Sequence, residues 1–158
     1  MHAETKSRRK SQNSTDMEGL REMNSLVVVV GAQFGSEGKG AVVGHLARQL
    51  SADDLCIRVG GPNAGHTVWA AGTEWKLRQV PAAAPVSACR LGIAAGSEID
   101  QEVLFNELAE LDGHGYEASS RISIHPSATI LDPRHLEAEQ SAGLVGRIGS
   151  TGKGIGAA

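Results

Sequence analysis

The chain has 158 residues, the size of one ordinary domain, and its 41% hydrophobic and 21% charged residues are typical of a globular protein. Fifteen basic against eighteen acidic residues give a net charge of -3, which argues against a dominant nucleic-acid-binding surface. The longest apolar run, Leu26–Val30, is far shorter than the roughly 20 residues of a membrane-spanning helix, so we expect no membrane partner. Cys56 and Cys89 are too few for a disulfide framework, and we expect buried, inert thiols in a cytoplasmic protein.

The chain begins with a polar segment and then changes abruptly. Residues 1–25 show no apolar period, which predicts a solvated, disordered extension. Leu26–Val30 is β-branched and continuously apolar, which is typical of a strand buried on both faces. The glycine-rich turn Gly31–Gly40 follows, and apolar residues then recur at helical spacing as far as Ser51. Strand, glycine loop and helix form the opening unit of an α/β domain.

Further elements alternate along the rest of the chain. We predict strands at Leu55–Val59, Arg90–Ala94 and Arg121–His125, and a hairpin with arms Thr67–Trp69 and Trp75–Arg78. We predict one helix after a capping box at Ser97–Asp100, ending near Gly113. We predict another over Leu131–Ala142, started by Asp132-Pro133 with the proline in its first turn. Residues 146–158 are predicted to be loop-like.

The turn Gly31–Gly40 has the features of a phosphate-binding loop. Backbone N–H groups at a helix N-terminus point at a bound anion, glycines allow positive φ and close approach, and Lys39 adds a mobile positive charge. The turn is not a standard Walker A motif, because Gln33 stands where a glycine is required and Gly40 stands in place of the magnesium-ligating Ser or Thr. The alternative is a strand-to-helix turn whose glycines only permit tight packing.

Two further loops place polar side chains beside glycines. In Pro62–Thr67, Asn63 and His66 can hydrogen-bond a ligand, although a single histidine is more often a surface residue. Gly149–Gly156 combines two hydroxyls, a lysine and backbone N–H groups, which suit a phosphate, and a flexible linker is the alternative. Two phosphate-binding loops would indicate two phosphorylated ligands, such as a triphosphate donor and a nucleotide acceptor.

Together the three segments resemble the adenylosuccinate synthetase family, whose members typically carry Q-W-G-D-E-G-K-G, N-A-G-H-T and G-T-T-G-x-G-x-G-P in this order. The matching text here is Gln33–Gly40, Asn63–Thr67 and Gly149–Gly156, and the resemblance runs from about Leu26 to the end. It implies a ligase that joins L-aspartate to C6 of a 6-oxopurine nucleoside monophosphate through a 6-phosphoryl intermediate, driven by a nucleoside triphosphate. It also implies an α/β fold with a mainly parallel central sheet, flanking helices and a P-loop-like nucleotide-binding architecture.

The resemblance assigns roles to individual residues. His66 would act on the transferring group as a general acid, Lys39 would neutralise its charge, and Gly65 would offer its carbonyl to the cofactor Mg²⁺. The triphosphate site would comprise Gly35, Ser36, Glu37, Gly38, Lys39, Gly40, Gly65, His66 and Thr67. The acceptor nucleotide would contact Asn63, Ser150 and Thr151.

Ser36 departs from the family pattern at a catalytic and metal-ligating position. The family's aspartate there removes the N1 proton of the purine and ligates magnesium, whereas a serine hydroxyl is not ionised at neutral pH. Either activity is lost or the substrate differs. Phage relatives of the diaminopurine pathway carry serine at this point, end the third motif in Ala-Ala as Ala157–Ala158 does here, and act on dGMP with an adenine triphosphate. A small neutral serine could accept a hydrogen bond from the exocyclic 2-amino group.

Three functional hypotheses follow. The leading one is a phage-like ligase that uses dGMP with ATP or dATP, in the host cytoplasm if phage-encoded. The alternatives are the ordinary enzyme, which uses IMP and GTP, and a nucleotide-binding module without catalysis. The chain stops within a glycine-rich loop, which predicts that it is part of a longer protein. The resemblance implies that 26–158 is the N-terminal part of the synthetase catalytic domain, inactive alone, and that the full-length protein is a homodimer.

Overall fold

The computed structural model describes residues 26–33, 35–148 and 152–158. The extension predicted at 1–25 and the predicted ligand-binding residues Ser150 and Thr151 lie outside the described residues. Contacts divide the chain into two units that meet in sequence between Val30 and Gly31.

The strand predicted at Leu26–Val30 is wrong for this structure. These residues have no regular secondary structure, and Leu26 is 87% exposed and Val30 79% exposed. β-Branched residues favour a strand only where a neighbouring strand supplies hydrogen-bond partners, and every strand among the described residues lies at Leu55 or later. The run therefore has the propensity to form a strand, but it pairs with no strand among the described residues.

The unit from Gly31 onward is a mixed α/β arrangement, as predicted. Its strands are β1 (Leu55–Arg58), β2 (His66–Ala70), β3 (Thr73–Leu77), β4 (Arg90–Ile93), β5 (Glu98–Ile99), β6 (Ile122–Ile124) and β7 (Thr129–Ile130). Its helices are α1 (Lys39–Ala47), α2 (Gln101–Gly113), α3 (Ala118–Arg121), α4 (Pro133–Ser141), α5 (Leu144–Ile148) and a 3₁₀ helix (Ile155–Ala157). Helix α1 stops before the predicted Ser51, and the predicted loop 146–158 includes the end of α5 and the 3₁₀ turn. Within the described residues, no helix has both the length and the apolar character needed to cross a membrane.

The strands form three small sheets. Strands β1, β4 and β6 run parallel in that order, with Ile57 opposite Gly92 and Gly92 opposite Ser123. Strands β2 and β3 form the predicted antiparallel hairpin, turning at Ala71 and Gly72, both with positive φ. Strands β5 and β7 form a short parallel pair. The parallel sheet predicted for an α/β domain is thus confirmed.

The core lies on one face of the parallel sheet. It combines side chains of β4, of the hairpin and of α2 with a buried loop, and its members include Trp75, Leu77, Val80, Ala83, Cys89, Leu91, Ile93, Leu104 and Leu111. On the other face of β1, Leu55 and Ile57 are about half exposed. Cys56 and Cys89 are free thiols, and burial followed by the proximity of Cys89 raises the pKa of Cys56 to about 11, in keeping with the predicted inert thiols.

The N-terminal cap of helix α2 differs from the prediction, whereas that of helix α4 agrees with it. Helix α2 begins at Asp100, whose carboxylate accepts a hydrogen bond from the N–H of Val103 at 3.2 Å, so the cap is not Ser97 as predicted. The two intervening residues belong to β5, which explains the difference. Helix α4 begins as predicted, and Asp132 and His135 complete a reciprocal capping box.

Candidate functional site

The glycine loop before α1 has a backbone that glycine-rich sequences adopt readily. The φ angle is 106° at Gly35, 57° at Ser36 and 76° at Gly38. Left-handed residues of this kind turn neighbouring N–H groups to one side, which creates a concave site for an anion. Gly38 is the N-cap of α1 and makes no side-chain cap, so the N–H groups of the first turn point out of the helix uncapped.

Two charged side chains of this loop form an ion pair. Oε2 of Glu37 lies 2.5 Å from Nζ of Lys39, and Oε1 of Glu37 accepts a hydrogen bond from the N–H of Gln33 at 3.3 Å. The bond to Lys39 is the main cause that lowers the pKa of Glu37 to about 2. The lysine predicted to hold phosphate is therefore paired with an ionised carboxylate in this structure.

The start of α1 packs directly against the second motif. A Cβ atom built on Gly40 would lie 2.8 Å from the carbonyl oxygen of Thr67 and 2.9 Å from Cβ of His66. One turn later, a Cβ atom on Gly44 would collide with the side chain of Val68. Because β2 crosses α1 so closely, a Ser or Thr cannot stand at Gly40 without moving backbone. This packing is the physical reason why the Walker A hydroxyl is missing.

The second loop is held by a buried arginine. His66 begins β2 and is half-buried, and Nη1 of Arg58 lies 2.7 Å from its Nδ1 atom. Burial, followed by the charges of Arg58 and Lys39, lowers the pKa of His66 to about 4. Near pH 7 the imidazole is therefore neutral and has one N–H group to donate. Asn63, Gly65 and Thr67 are exposed in the same loop and strand.

The third glycine segment is anchored at two points. The N–H of Gly154 donates to the carboxylate of Glu139, which is fully buried in α4. A Cβ atom on Gly154 would also press on the backbone of α4. The side chain of Ile155 packs against Gly61, the residue before the second loop, since a Cβ atom on Gly61 would lie 3.1 Å from the Cδ1 atom of Ile155. The structure thus brings the first motif against the second at Gly40, and the third motif against the residue that precedes the second loop.

Among the described residues, the oxygen ligands predicted for magnesium come from two residues. Ser36 offers a hydroxyl and Gly65 a backbone carbonyl, and both residues are exposed. The described residues contain no group of three or more His, Cys, Asp or Glu that could hold a metal ion. Mg²⁺ usually keeps several waters and binds through one or two protein groups plus substrate phosphates. This sparse set of hard oxygens fits a magnesium ion that arrives with a triphosphate.

Three buried charged residues were missed by reasoning from the sequence. Arg58 and Glu139 hold the second and third motifs, as described above. Glu107 of α2 accepts hydrogen bonds from three consecutive backbone N–H groups at residues 78–80, over 2.6 to 3.0 Å. The available signal was a charge inside an apolar pattern: Arg58 lies inside the predicted strand Leu55–Val59, and Glu107 lies on the apolar face of a predicted helix. A buried charge needs partners of this kind.

A parallel sheet with flanking helices and a glycine-rich, uncapped helix N-terminus is typical of phosphate-binding α/β proteins. The family model described as adenylosuccinate synthetase matches residues 28–158. The chain therefore belongs to the adenylosuccinate synthetase family, and the family predicted from three motifs is confirmed.

Individual relatives agree with this assignment. The adenylosuccinate synthetase of Pyrococcus sp. (strain ST700) is 37% identical over 133 residues, which are 84% of this chain and 39% of that protein. The structure of fully ligated adenylosuccinate synthetase from Plasmodium falciparum has a TM-score of 0.66 at 28% identity, covering 80% of this chain and 30% of that one. Cyanophage S-2L succinoaminodeoxyadenylate synthetase, bound to dGMP and to dATP as an energy donor, has a TM-score of 0.62 at 30% identity, covering 80% and 35%. The chain spans about a third of the length of the curated relatives it matches.

Proposed function

We propose that the protein is a purine nucleotide ligase that joins L-aspartate to C6 of a 6-oxopurine nucleotide at the expense of a nucleoside triphosphate. The observation that carries the proposal is the approach of the three motifs: Gly40 lies on His66 and Thr67, and Ile155 lies on Gly61, the residue before the second loop. A triphosphate donor and a purine acceptor need adjacent anion-binding loops, because the γ-phosphoryl group must travel directly between them.

The reaction has two balanced steps. In the first, the bond from the γ-phosphorus to its bridging oxygen breaks and the nucleoside diphosphate leaves, a bond from that phosphorus to purine O6 forms, and the N1 proton passes to solvent water. In the second, the neutral aspartate amine attacks C6 and loses one proton to solvent water, and the C6–O6 bond breaks as phosphate departs with O6. Phosphorylation is needed because an unmodified oxygen is a poor leaving group.

This chain's residues would supply binding, orientation and charge. The N–H groups of the glycine loop and Lys39 would hold the triphosphate, which requires Lys39 to exchange its partner Glu37 for phosphate. His66, neutral near pH 7, would donate a hydrogen bond to the transferring group, a narrower role than the general acid expected from the sequence. Mg²⁺, held by Ser36 and the carbonyl of Gly65, would neutralise charge on the phosphates.

We propose dGMP as the acceptor, with ATP or dATP as the donor. Ser36 supports this choice, because a neutral hydroxyl can accept a hydrogen bond from the 2-amino group of guanine, which hypoxanthine lacks. The likeness to the cyanophage enzyme bound to dGMP and dATP also supports it. The second candidate is the ordinary reaction with IMP and GTP, which the curated relatives named adenylosuccinate synthetase favour.

The test is a comparison of kcat/KM for dGMP and IMP, with ATP, dATP or GTP, aspartate and Mg²⁺, on the polypeptide that the gene encodes. We expect dGMP with an adenine triphosphate to be preferred, and Ser36→Asp to shift the ratio towards IMP. Ser36→Ala is the matched control, because it removes the hydroxyl without adding a base. Asp tolerates the left-handed backbone of residue 36, so the Ser36→Asp variant should keep the loop conformation. A clear preference for IMP would contradict dGMP as the acceptor but would still support the proposed ligase activity.

A further outcome of the same assay distinguishes an enzyme from a binding protein. Triphosphate binding without phosphate release, in the presence of aspartate and every purine nucleotide tested, would contradict the ligase and favour a non-catalytic nucleotide-binding module.

A further inference from the structure

Arg78, the residue after β3, is fixed against the second loop by two hydrogen bonds. Its backbone N–H donates to the buried carboxylate of Glu107 at 2.6 Å. Its Nε atom donates to the carbonyl oxygen of Pro62 at 2.8 Å, and Asn63 is the next residue of that loop. The guanidinium group of this half-buried arginine is therefore held at the start of the loop that carries Asn63.

The outer edge of the same guanidinium group, Nη1 and Nη2, has no partner among the residues that the structure describes, since Arg78 donates to them only through its backbone N–H and Nε. The other six described arginines each donate through at least one Nη atom to a carbonyl or carboxylate oxygen, and they are Arg48, Arg58, Arg90, Arg121, Arg134 and Arg147. A guanidinium group stays charged and only donates hydrogen bonds. The fixed and unpaired edge of Arg78 is therefore suited to an anion.

The position of this edge favours the acceptor nucleotide over the triphosphate donor. Asn63, the neighbour of Pro62, is the residue expected to contact the acceptor, whereas Lys39 is expected to serve the donor from the glycine loop. The segment from Pro62 to Thr67 contains no acidic residue that could pair with the guanidinium group. A phosphate monoester presents several oxygens, and two of them match the parallel N–H groups at one edge of an arginine.

We propose that Arg78 binds the 5′-phosphate of the acceptor nucleotide through Nη1 and Nη2, while its Nε atom holds the second loop beside that phosphate. The inference rests on the proposed function, because it takes the acceptor to be a nucleoside monophosphate. It does not depend on the purine base, so dGMP and IMP should use the same contact.

The first experiment is butanedione labelling of arginines in the unmodified polypeptide that the gene encodes, followed by mass spectrometry. Arg78 should be labelled in the free protein, because its Nη groups are unpaired, and saturating dGMP or IMP should suppress that labelling. Deoxyguanosine and inosine, which lack the phosphate, should leave it unchanged. Arg134, which is exposed and paired with Asp132 outside the three motifs, is the internal control and should react equally in every sample.

Three results of the labelling would overturn the inference. Equal protection by nucleotide and nucleoside would show that the base or the sugar covers Arg78. Protection by the triphosphate and not by the monophosphate would assign the guanidinium group to the donor. Absence of protection by any nucleotide would leave the phosphate contact without support and contradict it. The labelling needs no variant, so it decides the question even if every Arg78 variant fails to fold.

The second experiment measures by calorimetry how Arg78→Gln changes the affinity for each ligand. Glutamine keeps an amide donor but loses the charge and the fork, so dGMP should bind roughly 10- to 100-fold more weakly, the size of one charged hydrogen bond, while deoxyguanosine stays within about twofold. Arg78→Lys keeps the charge and should recover part of the loss. Arg48→Gln is the matched control, because Nη2 of Arg48 donates to the carbonyl of Trp69 in the same hairpin at 2.6 Å, and it should change neither affinity. An equal loss for nucleotide and nucleoside in Arg78→Gln would mean that the arginine only anchors the loop, which overturns the proposal.

The two proposals fail in different ways. An active ligase in which Arg78→Gln weakens nucleotide and nucleoside alike would refute the role of Arg78 and leave the proposed function standing. A phosphate-dependent contact of Arg78 in a protein that turns over no purine nucleotide with aspartate would refute the ligase and leave the binding role of Arg78 standing.

Discussion

Enlarging Gly40 tests how the first two motifs are joined. A Cβ atom there would lie 2.8 Å from the Thr67 carbonyl oxygen, and ordinary contact begins at 3.4 Å, so the start of α1 must move from β2 by about 0.6 Å. The obstacles include backbone atoms of a hairpin strand, which cannot rotate away as a side chain can. We expect Gly40→Ala to lower the free energy of unfolding by about 1–3 kcal/mol, as overpacking usually does.

Two other glycines provide comparisons. At Gly44 the added Cβ atom would collide with the side chain of Val68, which is β-branched and buried in the core, so we expect a loss of similar size. At Gly113, the last residue of α2, nothing lies within 4 Å, and alanine should be neutral or slightly stabilising. Urea denaturation should therefore show Gly40→Ala and Gly44→Ala to be less stable than Gly113→Ala.

The same displacement should reach the nucleotide. Lys39 precedes Gly40 in the first turn of α1, so its ammonium and the neighbouring N–H groups would move with the helix. We expect calorimetry to show triphosphate binding weakened about tenfold, which corresponds to 1.4 kcal/mol. If Gly40→Ala matches Gly113→Ala in both assays, the close packing on Thr67 is wrong. Weaker triphosphate binding without a loss of stability would mean that Gly40 is needed for ligand binding and not for the packing of α1 on β2.

Three further perturbations address the loop, the core and a thiol. Glu37→Gln frees Lys39 from its carboxylate partner, so calorimetry should show triphosphate affinity rising several-fold, and weaker binding would mean that Glu37 organises the loop. Glu107→Ala leaves three backbone N–H groups without their acceptor and should lower the free energy of unfolding by about 3 kcal/mol, measured by urea denaturation. The control is Glu110→Ala at an exposed position of the same helix, which should change the free energy of unfolding by no more than about 0.5 kcal/mol. Because the pKa of Cys56 is raised to about 11, little of its thiol is ionised at pH 8. Iodoacetamide should therefore label Cys56 at pH 8 roughly 100-fold more slowly than it labels a free thiol, as followed by mass spectrometry. Labelling as fast as a free thiol would contradict its burial.

Local patterns were sufficient to predict most elements of the fold. The hairpin follows from two short apolar arms around Ala71 and Gly72, and its turn chemistry is entirely local. Helix α4 follows from Asp132 and Pro133 at its start. The prediction failed at Leu26–Val30, because whether an apolar run forms a strand depends on a neighbour that local propensity cannot supply.

The contacts that assemble the candidate site could not be predicted from local patterns. Arg58 reaches His66 only because β1 and β2 meet at their ends, and Glu107 reaches the N–H groups of residues 78–80 across a separation of nearly thirty positions. Each of these charges looked like a break in an apolar pattern. A buried polar group needs a hydrogen-bond partner, and only the structure shows which group that partner is.

The glycines of the first motif show why sequence left two interpretations open. Gly35 and Gly38 have positive φ angles and open space where a Cβ atom would be, so they serve the turn and the approach of an anion. Gly40 and Gly44 lie in a helix, and they are glycines because β2 leaves no room for a side chain. Phosphate approach and tight packing are therefore properties of different glycines in one motif. Substitutions at the first pair should act on the ligand and those at the second on the fold, which makes the two interpretations separable by experiment.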